Sequence, residues 1–298
     1  MGLRFERAEG RPLVPLPPFR LDDRTIETLA PGDADTWVVI PALQEVPSIT
    51  GALEAIAAQT LRPLVVCVVD NGSMDATPDV VRGWAAARVE SAEAGTGGSR
   101  AAPQSADTLG IRLAFEPEKG TGAAADTGMR FAIAAGAAYL LRTDADSRPR
   151  EDWAARMRTR LSDGIDLVAG RVVDRPDEHV SVRRRLALQA LMTGAAIVSV
   201  PKNQGPGYRT RFRMLVGSNV GIRAAVYEAA GGFPRSLIEE LHDDRALMNR
   251  VRRITHRIAS DRHAVVRSSA RRYARYGFRG VIAWYLDHDS RGAPVDVR

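Results

Sequence analysis

One cysteine, Cys67, stands in 298 residues, so no intrachain disulfide can form; it sits inside the apolar run LVVCVVD and reads as a small buried hydrophobe. Lysine is nearly absent. Lys119 and Lys202 are the only two among 42 cationic side chains, so the positive charge is almost all arginine. No stretch reaches the ~18 consecutive apolar residues of a membrane-spanning helix. The opening MGLRFERAEGR carries charges and no apolar centre, which argues against a secretory signal. The chain has no internal repeat, no recognition motif for nucleic acid and no phosphate loop, since Lys119 precedes its glycines and no Gly-Lys-Ser/Thr follows. These absences favour a cytoplasmic enzyme or binding protein.

What is present is ordinary in proportion and biased in charge. Hydrophobic residues make up 45% and charged residues 26%, as in soluble globular proteins. The length allows one large domain or two small ones. A net charge of +6 favours anionic partners, whether phosphates, nucleic acid or an acidic membrane face.

Prolines in RPLVPLPPF deny regular structure to residues 1–35, which are expected to form an arm over the domain or to be partly disordered. Alternation starts at Trp37. WVVIP (37–41), LVVCVVD (64–70), IRLAF (111–115) and AYLLRT (138–143) are apolar runs of strand length. PSITGALEAIAAQT (47–60), ATPDVVRGWAAARV (76–89) and GTGAAADTGMRFAIAAGA (120–137) read as the helices between them, with Thr77 capping the second and Pro78 in its first turn. Residues 90–108 are small, polar and glycine-rich, a surface loop. This order predicts an α/β fold with right-handed crossovers and a parallel sheet. In the second half, DLVAGRVV (166–173) reads as a strand and SVRRRLALQALMTGAAIVSV (181–200) as a long helix with a basic start. PKNQGPGYRTRFRM (201–214) is a basic loop, and LVGSNVGIRAAVYEAAGGF (215–233) a strand, a short helix and a glycine stop. HDDRALMNRVRR (242–253) is a helix whose charges match its dipole, and 256–298 is arginine-rich.

Ligands of open α/β sheets sit at the carboxyl ends of the strands. Three polar clusters fall at such ends: Gln44-Glu45, Asp70-Asn71 and Asp144/Asp146. The Asp-x-Asp of LLRTDADSRP (140–149) is either an acidic turn or a divalent metal site, because hard cations take carboxylate oxygens. VVDNGSMDAT (68–77) serves turn chemistry or a base and ribose. EKGTGAAADTG (118–128) opens a helix with glycines, where phosphate can approach. Glu239, Glu240, Asp243 and Asp244 either cap a helix or supply a general base. RHAVVRSSARRYARYGFRG (262–280) is either a solvated basic face or a diphosphate or lipid-headgroup site.

Taken in order, these stretches resemble glycosyltransferase family 2, of the GT-A fold, over roughly residues 37–272. VVIPALQE is similar to the family's opening strand and turn, VVDNGSMDAT to its Val-Asp-Asp-Gly-Ser-x-Asp segment, and KGTGAAADTG to its Gly- and Ala-rich helix start. LRTDADSRP is similar to its Asp-x-Asp loop, GSNVGIRAAVYEAAGGF to its acceptor-side strand, HDDRALMNRV to the helix that supplies the base, and SSARR to a terminal motif of some members. The resemblance implies a mixed, mainly parallel Rossmann-like sheet with flanking helices. It implies an inverting, metal-dependent transfer of one sugar from a nucleotide-diphosphosugar to an acceptor hydroxyl. The domain would span 36–272, its nucleotide half about 36–147 and its acceptor half about 148–272, with a basic and aromatic helix and tail at 273–298.

Position by position, Ala42 and Glu45 would line the nucleotide pocket with Lys119, and Asp70 and Asn71 would contact base or ribose. Asp144 would touch ribose or metal, Asp146 would ligate Mg²⁺ or Mn²⁺, and Asp244 would be the base with Asp243 beside it. Glu240, Arg209, Arg211, Arg271 and Arg272 would serve the acceptor or the diphosphate. The chain departs from the family at three points. Asn71 stands where an Asp commonly reads uracil, Ala125-Asp126 replaces an Arg-Asn, and Asp243 replaces a Glu. The Gln-x-x-Arg-Trp signature of processive synthases is absent. A nucleotidyltransferase, which normally carries a glycine-rich Arg/Lys signature where PALQEVPS stands, and a non-catalytic nucleotide- or nucleic-acid-binding module are the competing classes. The acceptor is unspecified by sequence. The arginines of 183–185 and 209–213 with Lys202 suit either a solvated loop or an anionic acceptor, phosphorylated or lipid-linked at the inner membrane face, with peripheral membrane contact.

Overall fold

The computed structural model describes residues 26–95, 108–178, 194, 204–235, 243–269 and 271. The core is a sheet whose central strands are β2 (Thr36–Ala42), β3 (Leu64–Asp70), β4 (Leu109–Phe115) and β5 (Tyr139–Arg142). All three pairings among them are parallel, in the order β4-β3-β2-β5. Strands β2 and β3 are buried at every position, as expected where helices cover both faces. Alternate residues serve opposite cores: Trp37, Val39, Cys67 and Leu140 face one, Val38, Ile40, Val66 and Leu141 the other. Each such fully buried apolar side chain contributes about 1.5–3 kcal/mol.

The helices divide between those faces. α1 (Ile49–Ala57), α2 (Thr77–Gly95) and α4 (Trp153–Ser162) cover one, with Leu53, Ile56, Trp153 and Met157 in its core. α3 (Thr121–Ala134), α5 (Ala224–Ala230) and α6 (Asp243–Ile254) cover the other, with Met129, Tyr227, Leu247 and Met248. The small residues of α3 allow close approach. A Cβ at Gly128 would lie 2.5 Å from Val39 and 2.8 Å from Val69. The glycines read as phosphate-seeking in sequence therefore include one that lets a helix lie flat on the sheet.

The rest of the sheet is mixed. β1 (Ile26–Ala30) adds antiparallel to β4, and β8 (Val220–Arg223) lies antiparallel between β5 and β7 (Leu167–Asp174). β9 (Ile258–Ser268) runs parallel to β7 and pairs antiparallel with the three residues of β6 (Ser147–Pro149). The nine-stranded order is β1-β4-β3-β2-β5-β8-β7-β9-β6.

Several expectations need correction. Residues 1–35 are not irregular throughout, because β1 begins beyond the proline cluster and extends the sheet edge. The loop expected at 90–108 starts later, since α2 continues to Gly95; residues 96–107 lie outside the described residues. α4 was not anticipated. Pro149 ends β6, and β9 runs through the arginine-rich segment. The expected helix at 181–200 falls outside the described residues except at Gly194, and so do the tail beyond 272 and the arginines at 183–185.

Candidate active site

The chain order reverses between β2 and β5. From β2 it proceeds outward to β3 and β4, then returns to place β5 on β2's other side. A crevice opens where neighbouring connections leave in opposite directions. The loop after β2 carries Glu45 and the loop after β5 carries Asp144 and Asp146. These loops face one another: Nη2 of Arg271 lies 2.9 and 2.7 Å from the two Glu45 carboxylate oxygens and 3.3 Å from Oδ2 of Asp146. Residues 226 apart in sequence thus meet across the crevice, as the strand-end reading requires.

Each of the strand-end groups in the first half of the chain is held by backbone chemistry. Glu45 donates its N–H to Oγ1 of Thr77 (2.8 Å), while Asp75 accepts the Thr77 N–H (3.0 Å) and caps α2 in its place. Asp70 is buried. Its Oδ2 accepts the N–H groups of Gly72 (3.3 Å) and Ser73 (3.2 Å), and its Oδ1 is buried without a hydrogen-bond partner. Asn71 uses both amide N–H groups on the carbonyls of Glu116 (2.9 Å) and Glu118 (2.7 Å), and its Oδ1 accepts the Gly120 N–H (2.8 Å). Its side chain therefore fixes the loop that opens α3. Ala42 is buried and its carbonyl accepts the Asn71 N–H (2.9 Å), whereas Lys119 is exposed.

From the second half of the chain, α6 delivers two carboxylates. Asp244 accepts the Gly217 N–H at Oδ2 (2.8 Å), and its Oδ1 lies 3.9 Å from Nη1 of Arg142. A Cβ on Gly217 would collide with that carboxylate and approach the Arg142 guanidinium to 3.0 Å. Asp243 is 8% exposed, with Oδ1 buried and unpaired. Burial pushes its pKa up to about 7; Arg142 opposes the rise, while Asp244 and Asp144 add to it. A Cβ on Gly122 would strike the Pro234 carbonyl and lie 2.9 Å from the Asp243 carboxylate, so the first turn of α3 abuts this acid.

A partly buried ion network gathers around Arg235. Arg235 reaches Glu116 (2.7 Å), Glu118 (2.9 Å) and Asp126 (3.3 Å). Asp126, fully buried, also accepts from Arg130 (2.7 Å) and from the Tyr227 hydroxyl (2.8 Å). The departure from the family at Asp126 is thus a structural anchor.

Sequence reasoning missed Arg142, Gly217 and Arg235. The first had a signal: a cation ending an otherwise apolar strand, separated from Asp-x-Asp only by Thr143. Of the expected acceptor residues, Arg209 is exposed and its Nε donates to the Arg253 carbonyl at the end of α6 (3.1 Å). Arg211 is exposed, and Glu240 and Arg272 lie outside the described residues.

Among the described residues no group of three or more His, Cys, Asp or Glu side chains is gathered to hold a metal alone. The donor set nevertheless suits a hard cation. Mg²⁺-type sites use one or two carboxylates and complete their shell with substrate phosphates, and Oδ1 of Asp144 is a buried carboxylate oxygen lacking a hydrogen bond.

A parallel core with carboxylates at a strand-order reversal defines an open α/β fold with a crevice at its switch point. The sequence profile of glycosyl transferase family 2 matches residues 37–230, and the chain belongs to that family. It is 32% identical over 138 residues to the glycosyltransferase AglE of Haloferax volcanii, covering 45% of this chain and 38% of that protein. Among solved structures it is similar to the mannosyltransferase PcManGT from Pyrobaculum calidifontis, in complex with GDP-Man and Mn²⁺. The TM-score is 0.55 at 22% identity, over 93% of this chain and 63% of that one. S. aureus TarS 1–349 in complex with UDP-GlcNAc gives 0.50 at 13% identity, over 78% and 58%. These likenesses show the GT-A fold. The chain spans about two fifths of its curated relative's length. Among the described residues, no helix is long and apolar enough to cross a membrane.

Proposed function

We propose that this protein is an inverting glycosyltransferase that moves one sugar from a nucleotide-diphosphosugar to an acceptor hydroxyl, assisted by Mg²⁺ or Mn²⁺. The observation that carries the reading is the opposition of two carboxylate sets on one rim. Glu45, Asp144 and Asp146 flank the crevice at the strand-order reversal, and Asp244 stands beside them on Gly217 and Arg142. The nucleotide half, about 36–147, holds the first set, and the acceptor half, about 148–272, holds the second. Family membership stands against the nucleotidyltransferase and the non-catalytic binding module.

Asp70, with its unpaired Oδ1, accepts from ribose or base. Asp146 and Asp144 would hold the divalent ion, which when bound would supply Lewis-acid charge for the departing diphosphate. Arg271, already drawn to Glu45 and Asp146, lies where it adds positive charge to the same leaving group. Asp244 is the reachable member of its pair and takes the proton of the acceptor hydroxyl. The hydroxyl oxygen then attacks the anomeric carbon opposite the breaking bond, which inverts it. Asp243 has the proton affinity of a base near neutral pH but is buried against Gly122; it stays beside Asp244 and tunes it.

The donor is a nucleotide-sugar of the kind carried by the neighbours, GDP-Man or UDP-GlcNAc. The acceptor is anionic, a phosphorylated sugar or a lipid-linked phosphate met at the inner face of a membrane, with Arg209 and Arg211 beside it. A panel of UDP-, GDP- and dTDP-sugars hydrolysed with Mn²⁺ or Mg²⁺ tests the reading. One donor cleaved only with metal is the expected result; no cleavage of any donor, with nucleotide binding also absent, would overturn it.

A further inference from the structure

Arg142 ends β5, and its guanidinium is 3% exposed. It lies over the ring of Phe233, 4.7 Å from the centroid. Its Nη2 is 3.6 Å from Oδ1 of Asp144, and its Nη1 is 3.9 Å from Oδ1 of Asp244. Asp243 feels its charge as well. Neither Nε nor Nη1 has a hydrogen-bond partner. Burying a guanidinium so incompletely satisfied is costly. Core packing gives no reason for it, because Leu140, two residues earlier on β5, fills the core with hydrocarbon.

We propose that Arg142 is a positioning residue that ties the donor-side carboxylate of Asp144 and the acceptor-side carboxylate of Asp244 to one buried cation. Both pairs are longer than a hydrogen bond, so the link is one of charge. Gly217 is part of the device: its N–H holds the other oxygen of Asp244, and its lack of a side chain leaves room for the guanidinium. One cation between two sites acts on them with opposite sign. It steadies Asp244 for its task, and it repels a divalent cation arriving at Asp144 and Asp146. The proposal rests on the assignment of those two residues to the metal and of Asp244 to the acceptor.

The test uses the full chain and two readouts. Mn²⁺ alone is titrated and the free ion is followed by electron paramagnetic resonance. Donor hydrolysis, in which water stands in for the acceptor, gives kcat and KM. Arg142→Met is expected to bind Mn²⁺ several-fold more tightly while kcat falls roughly 10- to 100-fold, the scale of a misplaced reacting group. Arg142→Lys keeps the charge and is expected to bind Mn²⁺ as the parent does, with a smaller loss of kcat. It also serves if the methionine variant fails to fold. A methionine variant that binds Mn²⁺ no more tightly, or that keeps its kcat, overturns the proposal, as does tighter Mn²⁺ binding by the lysine variant. Asp146→Asn is the control. If it leaves Mn²⁺ binding unchanged, the metal assignment fails, and that outcome is distinct from a failure confined to Arg142.

Discussion

The donor and acceptor sides of the crevice are built by different means. On the donor side, parallel strands end together, and Asp70 and Asp144 reach the rim because a strand stops there. Local order in the sequence suffices to place them. On the acceptor side the strands run mostly antiparallel to their neighbours, and Asp244 is placed by a hydrogen bond from Gly217, 27 residues away. The first arrangement tolerates loop changes; the second depends on single contacts between distant segments.

Mutation can break this contrast at several depths. The largest effect is expected at Asp146, where Asp146→Ala should abolish transfer and weaken metal-dependent nucleotide binding while leaving the far-ultraviolet circular dichroism intact. Unchanged turnover with the fold preserved would remove Asp146 from the metal site. Next comes Asp244→Asn, expected to keep donor affinity and lose transfer by at least ~10²-fold, the scale of a lost general base. Should Asp243→Asn carry that loss instead, the two acids exchange roles.

Gly217→Ala tests whether one backbone contact sets the acceptor side. The new methyl group has no room beside Asp244 and Arg142. Overpacking of this kind costs about 1–3 kcal/mol, and transfer should fall more than donor affinity. A variant with parental kinetics would mean that Asp244 needs no support from Gly217.

Asp243 gives a stability effect of definite sign. Its pKa rises from 3.8 to about 7 on folding, so between those values the folded chain binds more protons than the unfolded one. Its contribution to stability is therefore complete at low pH and is lost as pH rises through about 7. Asp243→Asn should gain on the parent at pH ~8 relative to pH ~4, by an amount on the order of 1–3 kcal/mol, measured by denaturant melts. A constant difference across that range would contradict the burial of a strained carboxylate. The smallest effect is expected from Arg209→Ala with Arg211→Ala, which should raise acceptor KM and leave donor hydrolysis nearly unchanged. Vesicle flotation with and without anionic lipid then separates a lipid-linked acceptor from a soluble one. A double variant that transfers normally, in a protein that ignores vesicles, would reduce the loop to solvated surface.

The same contrast explains what was legible in the sequence. LVVCVVD predicted β3 to the residue, because a strand buried on both faces shows as an unbroken apolar run. HDDRALMNRVRR matched α6 from its first described residue, Asp243, and stopped one residue short of its end at Ile254, its charges marking both termini. β9 did not show, because its outward positions carry Asp261, Arg262, His263 and Arg267 and only every few residues turn inward. β6 is three residues long and exists through its pairing with β9, over 100 residues later. In the site, the acids announced themselves by type and spacing. Arg142 showed only as a cation ending an apolar strand; its meaning lies in Asp244 and Gly217, which only the folded chain brings to it.

The clamp made by Asn71 bears on how nucleotide preference can change. An aspartate at this position could still accept the Gly120 N–H, but it would turn its second carboxylate oxygen, in place of the amide nitrogen, toward both the Glu116 and Glu118 carbonyls, which now receive N–H groups. Leaving those carbonyls without donors costs about 1–3 kcal/mol, before any repulsion is counted. Asn71→Asp alone should therefore loosen the 116–120 turn more readily than it alters base selection. Position 71 and that turn are coupled sites, whose substitutions add non-linearly. A route to a different nucleotide runs through both together, with the turn redesigned first.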